Sequence, residues 1–351
     1  MVARGFHPLR VAAVDRLCAD AVAVTFDVPG ELADAYAFRP GQSLTVRRPD
    51  GTDERRSYSI CAPAGARPRI GVREVPGGLV SRWLVNEVRV GDAVEVAPPS
   101  GTFTPDVAAG GRHVMIAAGS GITPVLSISA SLLRHPGAEV SILYGNRRAD
   151  TVMFVDELAD LKDDHPSRLE LVHLLSREAR EVDLLTGRLD AARLRDLVPL
   201  LIDIPAVDHW WLCGPYGMVT DATAVLGDAG VAPERIHREL FWVDEPPPEP
   251  VREDGTPHGR SSAVTVLLDG RSTTVTVAEG STVLEAAQRS RPDLPFACKG
   301  GVCGTCRARV LAGEVTMRRN FALEPAELRA GFVLTCQSTP LSDEVSLSFD
   351  D

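Results

Sequence analysis

The chain has 351 residues and a net charge of −11, with 44% hydrophobic and 24% charged residues. That length and balance suit two or three domains, each able to bury a core without disulfide staples. The acidic surface argues against nucleic acid as the main partner, and no apolar run approaches the roughly 18 residues of a membrane span. The opening MVARGFHPLR lacks the apolar core of a signal peptide. The expected compartment is therefore the cytoplasm, where thiols stay reduced and clustered cysteines are more often metal ligands than disulfides.

Residues 1–107 contain six short β-branched runs: HPLRVAAVDRLC, AVAVTFDVP, QSLTVRRP, RRSYSICAP, PRIGVREVP and DAVEVAPPSG. Proline, glycine and aspartate separate them, which predicts a small antiparallel β-barrel. The one helical stretch, GGLVSRWLVNEV, opens on glycines. In RRSYSI, strand alternation puts Arg56 and Tyr58 on one face and Ser57 and Ser59 on the other. An arginine beside an aromatic ring suits a flavin, the charge meeting phosphate and the ring stacking on the isoalloxazine. Gly77, Gly78 and Ser81 offer backbone N–H groups at a helix start, where phosphate binds. Taken alone, the same string also describes a surface strand.

Residues 108–243 change period. The strand candidates HVMIAAG, SILYGN, LELVHLLS and HWWLCGP alternate with the helix candidates PVLSISASLLR, FVDELADLKDD, DAARLRDLV and GMVTDATAVLG. This is the pattern of a parallel sheet covered on both faces, an α/β domain. In AAGSGITP, Gly119 and Gly121 permit a tight turn, and Thr123 with Pro124 near the first helical position opens a helix, a phosphate-binding arrangement as well as an ordinary strand–helix turn. YGNR, with Arg147, and CGP, with Cys213 and Gly214, end later strands and would face the same crevice, although each also reads as an ordinary structural turn. Cys213 also fits a small buried hydrophobe. Ser176 and Arg177 in LLSRE stand where an acidic residue would select a ribose 2′-hydroxyl and an arginine a 2′-phosphate, which favours NADPH over NADH unless Arg177 simply faces solvent.

Residues 244–262, including DEPPPEPVREDGTPHGR, are rich in proline and charge and read as an interdomain linker. Residues 263–351 follow as an α+β domain. SAVTVLLDGRSTTVTVAEG alternates as a hairpin turned at Asp269-Gly270, and STVLEAAQRS is a helix with Ser281 as its N-cap. Next comes CKGGVCGTC. Cys298, Cys303 and Cys306 stand as C-x4-C-x2-C, with Cys336 twenty-nine residues beyond the last. This is the plant-type spacing for a [2Fe–2S] cluster. Gly300, Gly301 and Gly304 let the backbone wrap closely at positive φ and aim N–H groups at sulfur, while Lys299 and Arg307 offset negative charge. A zinc site would pair cysteines as C-x2-C twice, and this chain has only one such pair.

With these pieces in order, the chain resembles the ferredoxin–NADP reductase superfamily fused to a C-terminal plant-type ferredoxin, a multidomain architecture of flavin barrel, nucleotide domain and β-grasp ferredoxin. Within that group it looks more closely like the reductase subunits of bacterial phenylacetyl-CoA epoxidases. FRPGQSLTV, RRSYSIC, AAGSGITP, YGNR, DLKDDHPSRLELV, CKGGVCGTCRARV and ALEPAELRAGFVLTCQS carry the closer match. The resemblance implies FAD held by Arg56, Ser57, Tyr58 and Ser59, with Gly77, Gly78 and Ser81 at its pyrophosphate. It implies a nicotinamide nucleotide at Gly119, Gly121, Thr123 and Pro124, with Cys213 and Gly214 near the nicotinamide ring. Ser59, Cys213, Glu239 and Phe241 form the implied catalytic set, and Leu240 stands where the closer relatives carry arginine. The implied activity passes electrons from NADPH through FAD and a [2Fe–2S] cluster to a terminal oxygenase, expected to be a diiron enzyme. The same architecture serves reductases of steroid-ring, aromatic and alkane hydroxylases, and a free-standing flavin reductase is the remaining reading.

Overall fold

The computed structural model describes residues 5–49, 53–241 and 261–350. The chain divides into two compact units, Met1–Trp242 and Val243–Asp351. Residues 244–260 of the stretch read as a linker lie outside the described residues, while Ser261 and Ser262 already belong to a strand. Among the described residues no helix is long and apolar enough to cross a membrane.

The first unit begins with strands β1 (His7–Cys18), β2 (Ala21–Asp27), β3 (Ser43–Arg47), β4 (Arg55–Ser59) and β5 (Arg69–Arg73), then helix α1 (Leu79–Asn86) and strand β6 (Ala93–Val96). They form an antiparallel sheet in the order β4-β3-β6-β1-β2-β5. The bridge between Ile60 and Ile70 joins its two edges, so the expected barrel forms. Two register breaks in β1, at Val11/Ala13 and Arg16/Cys18, bend that long strand around the barrel. Leu9, Val22, Val24, Phe26, Leu44, Ile70 and Val72 point inward and fill it. Helix α1 buries Val80, Ser81, Leu84 and Val85 on one face, matching its helical spacing.

The same unit continues with β7 (Gly111–Ala118), α2 (Ile122–Leu132), β8 (Ala138–Asn146), α3 (Val155–Asp164), β9 (Leu169–Leu175), α4 (Ala191–Leu201), β10 (His209–Gly214), α5 (Tyr216–Asp228) and β11 (Ile236–Leu240). All five strands are parallel, in the order β11-β10-β7-β8-β9. The strand order reverses at β7, which opens a crevice at the carboxyl ends of β7 and β10. The four expected strands and four helices are present. The fifth strand, β11, comes from IHREL, whose alternation is too short to stand out. One helix start differs from expectation: a short 3-10 turn over Gly119–Gly121 precedes α2, so Pro124 is its third residue rather than its first.

The second unit contains β12 (Ser261–Leu268), β13 (Arg271–Ala278), α6 (Val283–Gln288), β14 (Arg307–Ala312), β15 (Val315–Met317), α7 (Pro325–Arg329), β16 (Phe332–Leu334), β17 (Ser338–Pro340) and β18 (Glu344–Ser348). Its main sheet runs β13-β12-β18-β14-β16, with β12 and β18 parallel and the other neighbours antiparallel. The hairpin turns at Asp269 and Gly270, both at positive φ (52° and 69°), as the sequence predicts. The helix cap differs: Thr282, not Ser281, caps α6, in a reciprocal capping box with Glu285. Replacing Thr282 with alanine therefore removes about 1 kcal/mol from this unit, measurable as an earlier denaturant midpoint for its unfolding transition.

Candidate functional site

Three segments far apart in sequence meet in the first unit. Cys213 on β10 and Glu239 on β11 are register partners in the parallel sheet. Ser59, at the end of barrel strand β4, donates its hydroxyl to Glu239 Oε2 at 3.0 Å. Burial pushes the Glu239 carboxyl up to about 7, and the Ser59 hydrogen bond opposes that shift only in part. Burial, reinforced by Glu239, likewise raises the Cys213 thiol, so it stays protonated. Phe241, just beyond β11, is partly exposed at 37%, whereas Leu240 is buried.

The turn that opens α2 lies directly against this cluster. A Cβ placed on Gly121 would fall 2.0 Å from the Cys213 carbonyl oxygen, so only glycine lets the turn approach β10. Gly119 sits at φ +56°, and its carbonyl accepts the Tyr144 hydroxyl at 3.0 Å. Thr123 is buried and donates to the Ser120 carbonyl, bracing the turn from within, and Pro124 is buried beside it. Gly214 is also closely packed: a Cβ there would meet the Met218 side chain at 2.7 Å.

The RRSYS strand presents its residues as alternation requires. Arg56 is exposed and ion-paired with Glu54, while Tyr58 packs on the barrel core and burial raises its phenol. On the other face, the Ser57 hydroxyl pairs with that of Thr45. Arg55, which carries no motif signal of its own, is buried and held by Asp53 through two nitrogens. Gly77 is exposed at positive φ. Gly78 is the N-cap of α1. The Ser81 hydroxyl is engaged by the loop itself, accepting from the Val75 N–H and donating to the Gly78 carbonyl. Arg147 and Arg177 are exposed neighbours at the rim of the parallel sheet, where the Arg177 N–H donates to the Arg147 carbonyl at 2.8 Å. The adjacent Ser176 N–H donates to the Asn146 carbonyl at 2.9 Å.

In the second unit, Cys298, Cys303 and Cys306 occupy the loop before β14, and Cys336 follows β16. The four thiols fall into two interacting pairs. Cys298 is held down to about 6, first by the Cys303 thiol and then by the backbone N–H groups of Gly300, Val302 and Cys303, while Cys303 is pushed up. Cys336 is likewise lowered by Cys306, with help from Gln337 and the Gly301 N–H, while Cys306 is pushed up. Gly300 N–H donates to Cys298 Sγ at 3.3 Å, and Gln337 Nε2 to Cys336 Sγ at 3.4 Å. Among the described residues no three His, Cys, Asp or Glu side chains gather about a single metal-ion position. Two pairs of soft donors with N–H groups turned toward sulfur suit a binuclear cluster, two thiolates to each iron.

Two local expectations are corrected. Gly301 and Gly304 take positive φ, but Gly300 does not; Lys299 does so instead, at 51°. Arg307 is not a free counter-charge, because it is ion-paired with Glu327 and stacked on Phe332.

Comparisons with known proteins agree with this architecture. The model of the oxidoreductase FAD-binding domain matches residues 8–104, that of the oxidoreductase NAD-binding domain 115–224, and that of the 2Fe-2S iron-sulfur cluster binding domain 266–341. The chain belongs to the FAD- and NAD-binding reductases that carry a C-terminal 2Fe-2S ferredoxin domain, and it is an NAD(P)H-dependent oxidoreductase of the ferredoxin-reductase type. It is 42% identical to a component of the 1,2-phenylacetyl-CoA epoxidase of Escherichia coli K12, over 98% of each chain. It is 33% identical to the ferredoxin reductase component of 3-ketosteroid-9-alpha-monooxygenase of Rhodococcus rhodochrous, over 97% of this chain and 96% of that one. In fold it is similar to phthalate dioxygenase reductase, with a TM-score of 0.62, 23% identity and 98% of each chain covered.

The raised Glu239 carboxyl has a consequence for stability. Between its ordinary value near 4.5 and its folded value of about 7, the folded chain holds a proton that the unfolded chain has lost. This contribution is complete below the lower value and disappears as pH rises through the upper one. Glu239→Gln, which stays neutral, should therefore melt above the native protein at pH 8, with the gap closing toward pH 5 in thermal unfolding curves.

Proposed function

We propose that the chain is the reductase component of a multicomponent oxygenase, that it uses NADPH in preference to NADH, and that its partner is a diiron oxygenase acting on phenylacetyl-CoA. The observation that carries this reading is the similarity to the epoxidase component over 98% of both chains, ferredoxin module included. A second reading, a steroid-ring monooxygenase reductase, has its own support in the 33% identity over 97% of the chain.

When bound, FAD accepts a hydride from nicotinamide, and a [2Fe–2S] cluster takes electrons one at a time. The chain's residues supply place and electrostatics. Arg56 offers a charge to phosphate, Tyr58 a ring beside the flavin, and Gly77, Gly78 and Ser81 the close backbone approach at α1. Gly119, Gly121, Thr123 and Pro124 shape the turn for the nucleotide. The buried, protonated Cys213 and the Gly214 backbone end β10 at the crevice, where they would approach the nicotinamide, and Phe241 would lie near the flavin. Ser59 and Glu239 hold a proton between them at 3.0 Å, near neutral pH. No general base is required, and catalysis rests chiefly on proximity. Cys298, Cys303, Cys306 and Cys336 would ligate the cluster.

The preference for NADPH is supported by the exposed Arg147 and Arg177 side by side at the sheet rim, with Ser176 next to them. Losing a charge-assisted contact costs about tenfold or more in affinity. Arg177→Ala should thus raise KM for NADPH about tenfold while leaving KM for NADH nearly unchanged; equal effects on both would remove Arg177 from 2′-phosphate recognition.

Cys336→Ser should abolish reduction of cytochrome c yet leave ferricyanide reduction by NADPH largely intact. Survival of both activities would refute the ligand assignment. Reconstitution with a phenylacetyl-CoA oxygenase tests the partner directly: NADPH-dependent epoxide formation is expected, and turnover only with a steroid hydroxylase would favour the second reading.

A further inference from the structure

Cys336 stands between two residues that both reach back to the loop carrying the other three thiols. Thr335, fully buried, donates its hydroxyl to the Cys306 carbonyl at 2.9 Å, and its N–H donates to the same oxygen at 3.1 Å. On the other side Gln337, only 1% exposed, reaches the opposite end of that loop, where its Nε2 donates to the Lys299 carbonyl at 2.9 Å. The same nitrogen lies 3.0 Å from the Cys336 carbonyl and 3.4 Å from Cys336 Sγ. The backbone here is anchored as well, because the Arg318 N–H donates to the Gln337 carbonyl at 2.9 Å.

The neighbours fix which way the Gln337 carboxamide points. Two backbone carbonyl oxygens and a sulfur surround one end of it. A carbonyl can only accept, so the nitrogen must face them. The other end, Oε1, is buried and makes no hydrogen bond among the described residues. A methionine would fill a similar volume without a buried acceptor, so packing alone does not account for an amide at this position. The fit is also tight. Gly301 stands at φ +80°, and a Cβ placed there would lie 3.1 Å from Gln337 Cγ. Loop and side chain are thus pressed together, with the amide nitrogen aimed at the loop and at the fourth sulfur.

We propose that Gln337 is a positioning residue with two tasks: it fixes the fourth thiolate against the loop of the other three, and it raises the reduction potential of the cluster they hold. This rests on the reading of the four cysteines as cluster ligands. One electron passes from the reduced flavin, no proton is taken up, and no ligand bond breaks, so the thiolates share one added negative charge. A donor aimed at a thiolate favours that reduced state, since hydrogen bonds to sulfur help set such potentials. Thr335 shares the first task and not the second, because its hydroxyl is engaged by a carbonyl.

The test uses the full chain loaded with iron and sulfide, with a redox titration followed in the visible spectrum and iron release to a chelator measured in parallel. Gln337→Met removes the donated bonds at similar volume. It should lower the one-electron reduction equilibrium about tenfold, a shift of about 59 mV toward more negative potential, and it should speed iron release. Thr335→Val should speed iron release while the potential stays native, because no bond to sulfur is lost. An unchanged potential in the Gln337 variant, or equal falls in both variants, would overturn the proposal. Should the methionine variant fail to retain its iron, Gln337→Asn decides, since it keeps an amide but draws the donor back by one methylene. Its potential must fall, and a native value refutes the assignment. A native chain that takes up no iron and acid-labile sulfide refutes the ligand reading and the proposal with it. A loaded native chain whose Gln337 variants titrate like it refutes the Gln337 assignment alone.

Discussion

The approach of Gly121 to the Cys213 carbonyl leaves no room for a methyl group, since a Cβ there would stand 2.0 Å from the oxygen. Much of the first unit depends on that contact. It lets the turn between β7 and α2 lie across the end of β10, at the point where the strand order of the parallel sheet reverses. Parallel strands need long crossovers, so residues 121, 213 and 239 are separated in sequence by whole helices and still meet at one sheet edge. The barrel then contributes Ser59, whose hydroxyl donates to Glu239.

The electrostatics of both units follow one pattern. Cationic side chains near the candidate sites are mostly engaged by carboxylates: Arg55 by Asp53, Arg69 by Asp15 and Glu157, and Arg307 by Glu327. What acts on the reactive positions is weaker and better directed. A hydroxyl faces Glu239, and backbone N–H groups face Cys298 and Cys336. Fixed dipoles of this kind stabilise negative charge without the reorganisation and rotamer entropy of a long charged side chain. At Glu239 the hydroxyl only partly offsets burial, so the carboxyl still holds a proton near neutral pH.

Local strength of signal separates what was legible from what was not. The barrel strands and the helices have clear periodicity, and they lie where the residues predict. The hairpin at Asp269-Gly270 needs two consecutive positive φ angles, which few residue pairs accept. β11 escapes notice because five residues carry too little alternation to distinguish strand from loop. The cap of α6 moves from Ser281 to Thr282 because adjacent hydroxyls are locally equivalent, and the reciprocal bond with Glu285 selects the second. Gly300 and Lys299 exchange expected conformations for a similar reason: glycine permits positive φ without requiring it. Arg73 carries no motif of its own, and its reach from β5 to the Thr151 carbonyl is set by what surrounds it.

Three domain types in order, four cysteines at a characteristic spacing, and the alternation that places Arg56 and Tyr58 opposite Ser57 and Ser59 can all be read from the residues alone. Short-range backbone geometry and spacing along the chain set those properties. Folding is needed to bring Ser59, Cys213 and Glu239 into one site and to occupy the Arg307 charge with a carboxylate. Each of these depends on contacts between elements distant in sequence, where burial and neighbouring dipoles, rather than residue type, set the protonation and the hydrogen bonds available.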